Sequence, residues 1–218
     1  MTDRSEFTLL TIGHSNQPAE RFLALLRDAG VRAVADVRSV PRSRRFPWFS
    51  AKPLHDLLDR HGIAYLGFGE TLGGRPPERA FYRDGVADYE AMAAAPAFRA
   101  GLDRAIEQAL RTCLCLMCSE REPLDCHRCL LIGRALAARG LPPGHITGDG
   151  TIEPHAMTEE RLLTWAQKSS ARKRSAHSGG DLFSDRNEML AGAYRRRTRA
   201  VAARIQHVRG PRQRTYDA

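Results

Sequence analysis

The sequence has no run of about 18 consecutive apolar residues, so no segment reads as a membrane span. The N-terminal residues are not expected to form a secretory leader. MTDRSEFTLLTIGHS carries acidic residues and too short an apolar run for one. Cysteine is absent outside a single window, since all five fall between Cys113 and Cys129. A disulfide framework spreads its cysteines along a small secreted chain. The clustering therefore excludes one and leads us to expect reduced thiols and a cytoplasmic location. The cysteine-to-arginine spacing of a thiol phosphatase is missing too: Leu124 stands six residues after Cys118, and Ile132 six after Cys126. There is no internal repeat.

Net charge is nearly lacking from the first three quarters of the chain. The overall charge is +9. Residues 169–218 carry 12 Arg and Lys against 4 Asp and Glu, so +8 of it lies there. Two units follow: an α/β domain over 1–168 and a basic tail over 169–218. The tail, with SSARKRSAHSGGD at its start, reads as flexible. Residues 187–208 carry a weak apolar stripe (Met189, Ala193, Val201, Ile205) and would be helical only against a partner. A polycationic tail points to DNA or RNA as partner. Asp181, Leu182 and Phe183 resemble a bacterial sliding-clamp-binding peptide, with Gly179 standing where Gln is usual.

The body is an alternation of strands and helices. FTLLTI at 7–12 has strand length, and 13–16 form a turn. Pro18 then opens a helix in which Phe22, Leu25, Leu26 and Ala29 recur at helical spacing, and Gly30 stops it. VRAVADV at 31–37 is a second strand. Further strands are expected at 63–68, 113–118 and 145–147. Further helices are expected at LHDLLDRHG, at 89–111 with an interruption at Pro96, at CHRCLLIGRALAARG and from Thr158 onward. This order predicts a three-layer, Rossmann-like, open and mainly parallel sheet with helices on both faces. In such sheets ligands bind beyond the carboxyl ends of the strands.

Polar residues crowd those ends. His14 and Ser15 follow the first strand. Asp36 and Arg38 close the second, with Arg42 and Ser43 in the Arg-rich loop after it. Gly73 and Gly74 lie beyond the third. Cys118 and Glu120 follow the fourth, then Cys126, His127 and Arg128, and the last short strand holds His145. Cys126 opens a helix beside cations, and both features favour a thiolate. His14, Glu120 and Cys126 are the candidate catalytic groups, and the others are candidate substrate contacts. Blander roles compete: Asp36 pairing with Arg38, Glu120 orienting Arg128, Gly73–Gly74 making a turn. No cofactor is expected. Zinc on Cys118, Cys126 and Cys129 is the lesser alternative, because one Cys-x-x-Cys pair without a second is a weak signature.

Five ordered motifs carry a resemblance: TIGHSN at 11–16, DVRSVPRSRRFPWFS at 36–50, YLGFGETLGGRP at 65–76, LMCSEREPLDCHR at 116–128 and HITGDGTIEPH at 145–155. Together they resemble domain-of-unknown-function family 488 over roughly residues 10–165. The resemblance implies one cytoplasmic α/β domain whose motifs line one site. It supplies no reaction. Two readings follow: an enzyme, a hydrolase or a base- or nucleotide-modifying one, on a phosphate-bearing substrate (nucleotide or nucleic acid), or a non-catalytic nucleic-acid-binding adaptor linked to DNA repair or replication.

Overall fold

The computed structural model describes residues 7–173 and 185–206, with side chains at 7–169 and 185–202. The chain opens with β1 (Leu9–Gly13), α1 (Ala19–Asp28) and β2 (Ala33–Asp36). After a 3₁₀ turn at Pro47–Phe49 come α2 (Ala51–Asp59), β3 (Ala64–Gly67) and the short α3 (Gly69–Leu72). A small hairpin, β4 (Tyr82–Arg83) and β5 (Val86–Ala87), leads to α4 (Tyr89–Ala94) and α5 (Pro96–Arg111). These two helices part at Pro96, as its fixed φ and missing N–H demand. Then come β6 (Leu114–Cys118), a π-helical stretch (Arg128–Gly133) running into α6 (Arg134–Ala137), and β7 (Gly144–Ile146). β8 (Ile152–Pro154), α7 (His155–Lys173) and α8 (Arg186–Gln206) complete the order.

Six strands form one sheet in the order β3-β2-β6-β1-β7-β8, and only β8 runs antiparallel to its neighbour. Every residue of β1, β2 and β6 is buried. That unbroken burial is the mark of parallel strands covered on both faces. Leu10, Ile12, Val34, Cys115 and Met117 face α1 and α2. Leu9, Ala33, Ala35, Leu114 and Leu116 face α4, α5, the π-helical stretch, α7 and α8. The three layers expected from the sequence are thus present.

The order of the strands sets where the chain reverses. The crossovers from β1 to β2 and from β2 to β3 travel outward and lay α1 and α2 on one face. The returns through β6 to β7 lay their helices on the other, as right-handed crossovers require. Loops leaving β6 and its neighbours β1 and β2 therefore diverge to opposite faces. The carboxyl ends of these three strands are where sheets of this kind bind ligands.

The tail contributes to the core. Ala193, Tyr194, Val201 and Ala202 of α8 are buried. Arg197 stacks its guanidinium on Trp165 and donates to Leu124 O and to Asp125, while Arg195 pairs with Glu90. The partner against which this helix folds is the body itself. Asp181, Leu182 and Phe183 lie outside the described residues.

Candidate functional site

The carboxyl ends of β1, β2 and β6 are stitched together. The backbone N–H groups of His14 and Ser15 donate to Cys118 O and Ser119 O, extending the β1–β6 pairing past both strands. Gly13 is obligatory there, because a Cβ would stand 1.8 Å from Glu120 O.

His14, Asp36 and Arg38 form one buried network. Arg38 donates from Nε and Nη2 to the two Asp36 oxygens at 2.8 and 2.5 Å, and Tyr65 donates its hydroxyl to Asp36 at 2.8 Å. The His14 ring stacks on Phe49 with centroids 4.3 Å apart. Its Nδ1 donates to Ser15 O, and its Nε2 accepts from Arg38 Nη1 at 3.1 Å. Burial, and then the Arg38 cation, hold this imidazole neutral, with its pKa lowered to about 4. Both nitrogens are occupied. The group is set up to hold the end of β1 against β2.

Arg128 is wholly buried. It donates to Glu120 O and to Arg121 O, so it shapes the loop beyond β6 through backbone carbonyls and not through the Glu120 carboxylate. Ser43 is likewise turned inward: its hydroxyl accepts from Phe46 N–H, and its N–H donates to Ser50 Oγ. Arg42, Arg75 and Arg121 are exposed. Glu120 is on the surface too, and crowding by neighbours raises its carboxyl above the usual range, with Cys126 adding to the effect.

Cys118, Cys126 and His127 converge. His127 Nε2–H donates to Val37 O at 2.9 Å. This fixes the tautomer and leaves Nδ1 bare, 3.6 Å from Cys118 Sγ and 3.7 Å from Cys126 Sγ. Cys126 caps the start of the helical segment, and Arg128 N–H points at its sulfur from 3.5 Å. Against the cost of burial, the Cys118 thiol and the Arg128 cation favour the Cys126 thiolate and hold its pKa well below the usual thiol value. Cys118 goes the other way, pushed up as the donor of the pair and by burial. Gly74 lies against the imidazole, and a Cβ on it would come within 2.6 Å of His127 Cγ. Gly73 packs in the same way on Ser39. The Gly-Gly pair therefore packs directly against the thiol–imidazole cluster and the loop after β2. The Tyr89 hydroxyl is buried with no hydrogen-bond partner among the described residues, and its phenol is raised by burial and by Cys126 and Cys118.

Cys129 and His145 do not join this pocket. With His155 they make a second buried group, where Thr11 Oγ1 meets His145 Nδ1 at 2.7 Å and His145 Nε2 meets His155 Nδ1 at 3.0 Å. His155 Nε2 reaches the Tyr194 hydroxyl at 3.1 Å, which donates to Glu159 at 3.0 Å. A third feature lies between β1 and β7. It is a polar cavity of about 180 Å³ lined by Ser15, Asn16, Gln17, Arg21, Arg121 and Gly148, among others.

Tyr65, Tyr89 and Tyr194 escaped sequence reading because each lies far along the chain from the groups it meets. No local spacing could have announced them.

A family model described as Domain of unknown function DUF488 matches residues 18–135. The chain belongs to this family. The match takes in the motifs at 36–50, 65–76 and 116–128, hence the thiol pocket and the Asp36–Arg38 pair, while TIGHSN and HITGDGTIEPH lie outside it. No curated protein and no solved structure matches this DUF488 chain. Among the described residues, no helix is long and apolar enough to cross a membrane.

Proposed function

We propose that this DUF488 chain is an enzyme acting on a phosphate-bearing substrate, a nucleotide or nucleic acid, with its reacting centre at Cys118, Cys126 and His127. The observation that carries this reading is the imidazole of His127, tied at Nε2 and presenting a bare Nδ1 to two thiols where the chain reverses. Structural cysteines need no such arrangement, whereas reactive ones sit beside cations and helix starts. Glu120 is the proton-carrying group: its carboxyl is raised above the usual range, the direction that suits a carboxylate to proton transfer. Phosphate recognition falls to the exposed Arg42, Arg75 and Arg121. Arg38 and Arg128, which sequence reading assigns to phosphate, have their donors directed inward.

The test is a turnover screen on nucleotides and on short DNA and RNA, with Glu120→Gln and Cys126→Ser as paired variants. We expect a product from the unaltered protein and a loss of about 10²-fold or more in kcat for each variant. No turnover on any substrate, or turnover unchanged in both variants, overturns the reading.

The adaptor reading rests on the basic tail as a phosphate-neutralising arm. Docked α8 commits Arg195 and Arg197 to Glu90 and Asp125, which lowers the charge it can offer. Binding through the tail predicts affinity that falls steeply with salt and disappears when 169–218 are removed. Affinity unchanged by that removal rejects it.

A further inference from the structure

Two buried groups could each hold a soft metal ion, and their hydrogen bonds separate them. In the group of Cys129, His145 and His155 every imidazole nitrogen already faces a hydroxyl or the other ring. In the group of Cys118, Cys126 and His127 the bare Nδ1 faces only sulfur.

The geometry of the Cys118, Cys126 and His127 group suits zinc. A tetrahedral ion with zinc–sulfur distances of about 2.3 Å and a zinc–nitrogen distance of about 2.05 Å sets sulfur and nitrogen about 3.6 Å apart. The observed separations are 3.6 and 3.7 Å, and all three donor atoms lie within 4.8 Å of one another. A ligating imidazole also needs its other N–H held by a carbonyl or carboxylate. Val37 O holds it at 2.9 Å. Metal-bound thiolates take support from backbone amides, and Arg128 N–H stands 3.5 Å from Cys126 Sγ. The buried Tyr89 hydroxyl has no hydrogen-bond partner among the described residues.

We infer that Cys118, Cys126 and His127 are a three-ligand zinc centre whose fourth position is open to water or substrate. Two thiolates and a neutral imidazole cancel the charge of the ion, and binding releases the thiol protons. Three protein ligands with one open position is the pattern of catalytic rather than structural zinc. Glu120, two residues after the ligand Cys118, has the ligand-x-Glu spacing by which zinc deaminases place a general acid–base beside the metal. The ion is the cofactor of the centre proposed above, but its assay reads metal and not turnover, so either can fail alone.

The full chain is purified without chelator, stripped, and reloaded with one equivalent of zinc or cobalt. Mass spectrometry should find one ion per chain. The cobalt form should show sulfur-to-metal absorption with the intensity of two thiolates, and zinc X-ray absorption should count two sulfurs and at least one nitrogen. Cys118→Ser and Cys126→Ser should each weaken metal binding by about tenfold or more, while Cys113→Ser leaves it unchanged, with circular dichroism confirming that each variant is folded. Reloaded protein without stoichiometric metal overturns the inference. So does a spectrum with a single thiolate, which would place the ion on Cys129, His145 and His155. The spectra of the unaltered chain decide the matter even if a variant fails to fold.

Discussion

At the scale of the residue, the edge of the sheet is held by groups that sequence reading would hand to the substrate. Asp36 and Arg38 are both buried, and each satisfies the other. Asp36→Asn leaves the Arg38 cation without its charge partner in the interior and should cost about 3–5 kcal/mol in a denaturant titration. An unchanged midpoint would return Arg38 to the list of free phosphate contacts. Gly74→Ala is a sharper probe of the pocket. The added methyl meets His127, an overpacking that should cost about 1–3 kcal/mol. It should also weaken thiol reactivity or metal retention, because the imidazole must turn. Stability and reactivity both equal to those of the unaltered chain would mean that this contact gives way freely.

At the scale of the element, most of the architecture is written in local sequence. Parallel strands buried on both faces leave short apolar runs, and FTLLTI, VRAVADV and CLCLMC are such runs. Pro18, Gly30 and Pro96 mark boundaries that the backbone respects, since each acts through its own dihedral preferences. What sequence reading missed depends on contacts distant in the chain. β8 has only three residues and pairs with β7 after a turn. The π-helical stretch at Arg128–Gly133 reads from sequence as ordinary helix. Such stretches recur at functional sites, and this one begins where Cys126 and His127 enter the pocket. The candidate site was legible as a set of loops, by the rule that ligands bind at strand ends. Its internal partition was not. Nothing local separates Cys126, which faces Cys118, from Cys129, which faces two histidines. Helix α8 was legible only as a weak stripe, because its apolar face is narrow and its burial comes from the body. Tyr194→Phe removes the oxygen that His155 meets, which should cost about 1–3 kcal/mol in thermal or chemical unfolding. A melt identical to that of the unaltered protein would mean that this bond carries no weight.

At the scale of the whole molecule, buried imidazoles make stability depend on acidity. Burial first of all lowers His14 and His155 from 6.5 to about 4. His145 is lowered as well, by burial and then by His155. A histidine with a depressed folded pKa protonates more readily in the unfolded chain. Stability is therefore full above about pH 6.5 and falls as pH drops toward 4, by up to roughly 1.4 kcal/mol per pH unit for each such group. Denaturant midpoints measured from pH 7.5 to 4 should decline across that window, and His14→Gln should make the decline shallower. A flat profile would show that these imidazoles stay accessible to protons in the folded chain.

The row of bonds from Thr11 through His145, His155 and Tyr194 to Glu159 has a sense. With both rings neutral, Thr11 donates to His145, His145 to His155, His155 to Tyr194, and Tyr194 to Glu159. Every proton lies on the same side of its link. The last oxygen but one belongs to α8, so docking of that helix picks the tautomer of an imidazole seated on β7, one strand in from the edge of the sheet. Lifting α8 away removes the hydroxyl that links His155 to Glu159 and so gave the row its sense, and both rings become free to exchange which nitrogen is protonated. Nitrogen chemical shifts of His145 would then report, from inside the sheet, whether the helix on the outside is in place.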